Sequence, residues 1–352
     1  MAIKSYKGFD KNLRCRGFQY KIGGIYEMDG KIKMCNRGFH ACESPLEVFD
    51  YYPMIGSRFC EVEQDGNISK EDRGTKICSS KIKIKAELKL ADMINLGVEW
   101  LKEITSPEKI KTSIKDNSSG NNAQIGSSGN NAKIGSSGYG AKIGSSGYGA
   151  QIGSSGNNAQ IGSSGNNAKI GSSDYGAQIG SSGYDAQIGS SGNNAQIGSS
   201  GNNAKIGSSG DGAKIGSSGY DAQIGSSGDG AQIGSSGYGA KIGSSGYGAQ
   251  IGSSGNDARI GSSGYGAKIS SSGYGAKIDS TGEDCVIMCA GINSVAKASK
   301  GSWVTLSEWS YSEEKQRYIP ICVKTEFVDG EKIKADTYYS LKGGVFVEWI
   351  ND

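Results

Sequence analysis

The sequence predicts a mainly β protein. Its centre reads as a β-solenoid, a parallel β-helix or β-roll of nonapeptide repeats over 112–291. A small α+β N-terminal domain (1–111) precedes it and a small antiparallel β C-terminal cap (292–352) follows. Three observations lead there. First, Ala recurs at every ninth position from Ala123 to Ala276, which makes 18 consecutive copies. Self-similarity at a fixed period marks stacked units that bury an apolar face only against their neighbours. Second, each copy places Ala and Ile two apart, so an extended backbone points both to one side. The residue between them is always polar: nine Gln, eight Lys and one Arg. Third, 58 of 352 residues are Gly and only 4 are Pro. That glycine content opposes helix in the repeats, and the missing Gly-every-third pattern excludes collagen. A flexible Gly/Ser linker has no reason to hold Ile in phase through so many copies.

In the N-terminal domain, YKGF, FQYKI and GGIYEM read as strands or turns, and RFCEVEQ and KICSSKIKIKAEL alternate like strands. The segment SPLE (44–47) predicts a helix start, with Ser44 as N-cap, Pro45 at the first helical position and Glu47 closing a capping box. That helix carries Val48, Phe49 and Tyr52, and a second helix is expected over 91–104.

The repeat unit is [N/Y/D][N/G/D]-A-[K/Q/R]-I-G-S-S-G. Its A-x-I triplet reads as a short strand and its G-S-S-G as the turn, where Gly takes positive φ. The core is Ala, Ile and inward Ser, whose hydroxyls are expected to need ladder-like partners along the axis. Nine residues are too few to enclose a core, so two repeats per 18-residue coil are expected. Nine such coils about 4.8 Å apart make a rod of roughly 43 Å; three repeats per coil is the alternative. The first two positions run NN, NN, YG, YG, a 36-residue super-period that is two coils long. Ragged copies flank the array at 112–120 and 283–291. The outward rows supply the candidate binding surface: Gln124, Lys133, Lys142, Gln151, Lys205, Lys214 and Arg259, with Tyr139, Tyr148, Tyr175 and Tyr220. Interleaved Gln relieves the repulsion of stacked Lys. Beyond the array, SWVTLSEW, RYIPICVKTEFV and TYYSL read as strands, with turns at VDGEKI and Gly343–Gly344. They are expected to cover the open edge of the last coil.

Composition narrows the function classes. With 38 basic and 35 acidic residues the net charge is +3, which argues against nucleic-acid binding. No apolar run approaches the roughly 20 residues needed to cross a bilayer, so no membrane partner is expected. The N-terminus carries no secretory signal, so a cytoplasmic location with reduced thiols is expected for the eight Cys. Cys35, His40 and Cys42 follow a C-x4-H-x-C spacing that fits no tetrahedral zinc pattern, so no metal is expected and buried thiols are. The Cys285–Cys289 pair reads as capping a decaying repeat. Calcium-binding β-rolls place Asp where this repeat has Ala, so calcium is excluded as well. No P-loop, HExxH or GxSxG motif occurs, and the single His40 reads as a packed residue. No cofactor is expected.

The stretch CRGFQYKIGGIYE…MCNRGFHACESPLEVFDYYP (15–53), with FCEVEQDG after it and VDGEKIKADTYYSLKGGVFVEW near the end, resembles an uncharacterised bacterial and phage family. Members of that family join such an N-terminal domain to Ser/Gly/Ala-rich nonapeptide repeats. The resemblance implies a phage or mobile-element origin, hence the host cytosol, and no established activity. GFHACESPLEVFDYY followed by a strand is also similar to the central segment of ADP-ribosyltransferases. That similarity implies Tyr6 and Gly8 near the start of an NAD site, Tyr51 or Tyr52 near the nicotinamide, and a pocket that His40 joins. The chain departs from that pattern in having YKG for the usual H-G or R-G motif and no late catalytic Glu.

The reading that follows is a non-enzymatic scaffold or binding protein, displaying Lys/Gln and Tyr/Asn rows to a host protein or to itself as a homo-oligomer. The alternatives are a stoichiometric phage inhibitor of a host defence protein, and an ADP-ribosyltransferase-like enzyme in residues 1–105.

Overall fold

A computed structural model describes residues 2–54, 56–71, 74–105 and 120–350. The chain forms two compact units, Met1–Trp100 and Leu101–Asp352.

The first unit is built on β1 (Ile3–Phe9), the short β2 (Arg14–Cys15) and β3 (Phe18–Gln19), β4 (Ile25–Glu27), β5 (Phe39–Cys42), β6 (Arg58–Lys70) and β7 (Lys76–Leu88). Helix α1 (Leu90–Ile104) follows. The main sheet runs β4-β7-β5-β1-β6, and β6 also pairs with β7, so the sheet curls closed. Phe9, Phe39, Val62, Ile82 and Ile84 fill it. Buried Gln64 ties the strands together. Its amide nitrogen donates to the Phe39 carbonyl at 2.8 Å, and its oxygen accepts from Ser5 Oγ at 2.8 Å.

The capping box at 44–47 does not form. Leu46–Asp50 is a single turn of 3-10 helix without a side-chain cap. The Glu47 carboxylate instead accepts from the backbone N–H and the hydroxyl of Thr75, both at 2.8 Å. A tertiary contact there outcompetes the local one, because one 3-10 turn has few orphan N–H groups to cap. All eight cysteines are free thiols, and Cys42, Cys60, Cys78, Cys285 and Cys289 are buried as expected. Cys35 is exposed, and Cys15 and Cys322 are half-buried.

The second unit is the solenoid. Eighteen four-residue strands run from β8 (Gln124–Ser127) to β25 (Lys277–Ser280), one per repeat. β26 (Val286–Cys289) and β27 (Val295–Lys297) continue them. Each strand pairs in parallel with the strand 18 residues away, as in Gln124↔Lys142 and Lys133↔Gln151. Two repeats therefore make one coil, and the three-repeat alternative is set aside. Alternate strands form two sheets that share one core of Ala and Ile. We call the sheet that starts at Gln124 the front sheet and the sheet that starts at Lys133 the back sheet.

The strand is x-I-G-S rather than A-x-I, and the turn is not G-S-S-G. Positive φ falls on the second repeat position, as at Asn122 (56°), Gly140 (66°) and Asp185 (56°). Asn, Asp and Gly alternate there because they are the residues that enter the left-handed region most readily. The ninth-position Gly has a different duty. A Cβ on Gly219 would collide with the Gly201 carbonyl one coil away, and the same holds for Gly237 against Gly219.

The super-period has a direct cause. In the first half of each stack, up to Asn193 and Asn202, an NN coil alternates with a YG or YD coil. The first Asn accepts the next coil's Tyr N–H through Oδ1, as Asn121 does from Tyr139 at 3.1 Å. The second Asn of the following NN coil donates to that Tyr hydroxyl, as Asn158 does to Tyr139 at 3.0 Å. Among the described residues the expected Ser ladder does not form. Buried hydroxyls such as those of Ser145, Ser163 and Ser199 have no hydrogen-bond partner. Equivalent atoms repeat at the coil spacing of about 4.8 Å, beyond the roughly 2.8 Å of an O–H···O bond.

The C-terminal strands extend the solenoid sheets as antiparallel hairpins. β28 (Trp303–Ser312) joins β26 in parallel and folds back into β29 (Arg317–Phe327) on the front sheet. β30 (Tyr339–Lys342) joins β27 on the back sheet antiparallel and folds back into β31 (Val345–Glu348). Of the ragged copies, 283–291 supplies a full coil strand, with Cys285 in the Ala place and Cys289 in the inner Ser place, both buried. The copy at 112–120 lies outside the described residues except for Gly120.

Two tests follow. Gly219→Ala is expected to cost about 1–3 kcal/mol through the backbone collision, whereas Gly216→Ala, which meets nothing within 4 Å, stays within about 0.5 kcal/mol. Chemical denaturation measures both. Asp174 stands where other copies have Gly, and burial pushes its carboxyl up to about 6. A raised acid favours folding only while protonated, so its contribution is lost as pH rises from about 4 through 6. Asp174→Gly should therefore raise the melting temperature more at pH 8 than at pH 4.5; an equal gain at both would refute the linkage.

Candidate functional site

Two sites stand out, one in each unit. In the first unit, Tyr6, Gly8, His40, Tyr51 and Tyr52 all line one cavity of about 1290 Å³. Strand β1 supplies Tyr6 and Gly8, β5 supplies His40, and the residues after the 3-10 turn supply the two other Tyr. Gly8 is required for this meeting, because a Cβ there would strike the Tyr52 ring. The Tyr52 hydroxyl lies 3.0 Å from Cys15 Sγ, and burial holds it well above the ordinary tyrosine range. Tyr51 accepts from Lys76 Nζ at 3.1 Å.

Cations surround His40. Lys7 Nζ donates to the His40 carbonyl at 2.8 Å, and the His40 Nε2 accepts the Cys35 backbone N–H at 3.0 Å. Burial, then Lys7, Arg16 and Lys76, lower the His40 pKa, so the ring stays neutral. Burial also lowers the pKa of Lys7. Phe18, Tyr20 and Tyr26 form an aromatic wall, with ring centroids 4.8–5.5 Å apart. The cavity thus offers positive charge beside ring faces, a recess suited to an anion that carries a flat group. Sequence reasoning missed Lys7, Arg16, Lys76 and this wall. Strand alternation gives no signal for Lys7, since it turns that residue away from the side of Tyr6 and Gly8.

In the second unit the expected rows do not form one surface. Gln124, Lys142 and Lys214 lie on the front sheet, whereas Lys133, Gln151, Lys205 and Arg259 lie on the back sheet. Tyr139, Tyr148, Tyr175 and Tyr220 sit at the coil corners and are 45–60% exposed. Tyr139 and Tyr175 belong to the front stack, and Tyr148 and Tyr220 to the back stack. Period-two alternation could not separate these sets, because the coil wraps successive repeats onto opposite sheets.

The two sheets differ in what covers them. In both, the x-I-G-S strand turns x and Gly outward. On the back sheet these Gly are buried from Gly135 to Gly261. Part of the cover is the chain itself: a Cβ on Gly153 or Gly171 would collide with Thr105. On the front sheet the same glycines are exposed from Gly126 to Gly234, and a Cβ on any of them meets nothing within 4 Å. They form an open groove of about 1590 Å³ along Gln124–Met288, backed by the Ile row. No sequence signal separates the two glycine rows, since both read G-S-S.

Residues 3–96 match a family model described as a Domain of unknown function (DUF7666). No match was found among curated proteins or among solved structures. The family match takes in every residue that lines the N-terminal cavity and none of the solenoid.

Proposed function

We propose that the chain is a non-enzymatic scaffold whose solenoid docks a protein along its front sheet. The observation that carries this is the contrast between the two glycine rows. The row on the back sheet is covered, in part by residues 101–105, while an equivalent row on the front sheet is bare. A flat, regular sheet face with an open trough gives many weak contacts in parallel, which suits docking more than chemistry. Affinity capture with the full chain, beside a Gly180→Arg/Gly216→Arg variant, tests it. A stoichiometric protein held by the wild type and lost with the variant is the expected result. Equal retention by both would move the function off this face.

A second reading rests on the N-terminal cavity, where Lys7, Arg16 and Lys76 act on one half-buried His40. There the first unit binds an anionic aromatic small molecule. Nicotinamide and adenine nucleotides at millimolar concentration should raise the melting temperature of the full chain, and Arg16→Glu should abolish the shift. No shift with any of them would remove this reading.

A further inference from the structure

We propose that the front sheet joins two copies of this chain side by side, as a parallel two-fold dimer. The inference rests on the docking reading above and names its partner.

Each front strand turns two residues outward, a long Gln or Lys and, two places on, a Gly. The rows stand about 6.8 Å apart, so the face is one ridge beside one trough along the rod. A partner can fill that trough over its full length only if its own ridge has the same axial repeat. A second copy has it by identity, so the fit stays in phase from coil to coil. Rotation about an axis parallel to the rod, midway between the rows, lays each ridge in the other copy's trough. Rotation about an axis along the strands would set ridge on ridge.

The end of the face selects the same arrangement. At the C-terminal coils the ridge becomes Val286 and Trp303, and the trough becomes Met288. Phe327 lies opposite Trp303, and Val323 lies on the same side. These five side chains are 41–62% exposed. A contiguous exposed apolar patch marks an interaction surface. Only parallel rods bring patch onto patch, as an isologous interface requires.

The size of the face is compatible with self-association. Ten strands of four residues, with matching four-residue stretches of the longer β28 and β29, cover about 800 Å² per copy, so a dimer would bury about 1,600 Å², the standard size of a stable interface. The ridge carries charge only at Lys142, Lys214 and Lys268, with Gln in the other repeats. Along one ridge the closest two are three coils apart, or about 14 Å, but the two-fold axis sets each Lys level with its own counterpart about one row spacing away, inside the screening length of about 10 Å, so added salt is expected to strengthen the association.

Sedimentation equilibrium of the purified full chain between about 1 and 100 μM tests the proposal. The expected result is twice the mass of one chain. Gly180→Arg/Gly198→Arg/Gly216→Arg fills the trough without an internal clash, and is expected to weaken association at least 100-fold with an unchanged dichroism spectrum. Should that variant misfold, mixed Gln196→Cys and Gly198→Cys chains decide instead. Mild oxidation should cross-link one to the other in a parallel dimer. A folded wild type that stays monomeric at every concentration overturns the dimer, while capture of another protein would still support the docking reading. A dimer that survives the trough substitutions, or fails to cross-link, overturns this interface.

Discussion

The structure depends on one constraint: each coil must sit one strand spacing above the last with its backbone in register. That contact is made 18 or 19 residues away in sequence, by ladders such as Gln124↔Lys142 and by corner bonds such as Ser127 O to Ser146 N–H. The repeat unit can be read as a set of answers to it. The ninth residue lies against a carbonyl of the neighbouring coil, so it is Gly in every repeat but the one that carries Asp174. The second residue turns the corner in the left-handed region. Ala and Ile from both sheets together fill the one buried core. Asn and Tyr then tie the corners of successive coils together.

An array governed by so few rules produces two nearly identical faces, and what distinguishes them lies outside the repeat. The back sheet is covered along its glycine row, and the front sheet is not. The C-terminal hairpins continue the exposed face with Trp303, Val323 and Phe327, which replace the polar ridge with apolar side chains. The candidate binding surfaces therefore lie where periodicity is broken or left uncovered. The family match falls on the non-repetitive N-terminal unit, whose cavity combines cations, aromatic rings and a neutral His40. Binding by either unit is compatible with the same scaffold.

Much of the fold was legible from residues alone. β6, β7 and α1 fall within a few residues of their expected places, since long alternation and a long amphipathic run survive tertiary context. The coil of two repeats was legible from geometry. The capping box was not, because Thr75, 28 residues beyond Glu47, takes its carboxylate. Nor was β5, whose four residues are too few to show a period. Tyr6, Gly8, His40, Tyr51 and Tyr52 were grouped from a resemblance, and the closed sheet brings them to one cavity. Lys7, on a strand, and Arg16, in the turn between β2 and β3, were overlooked because lone basic residues ordinarily face solvent.

The sequence by itself determined the period, the class and the inner face, because a nine-residue repeat of Ala, Ile and Gly has few ways to bury apolar surface while pairing every N–H. Only the tertiary structure decided which of two chemically identical glycine rows is covered. The unit G-S-S is the same on both sheets. Whether a given glycine row meets Thr105 or open space depends on segments that lie far away in sequence.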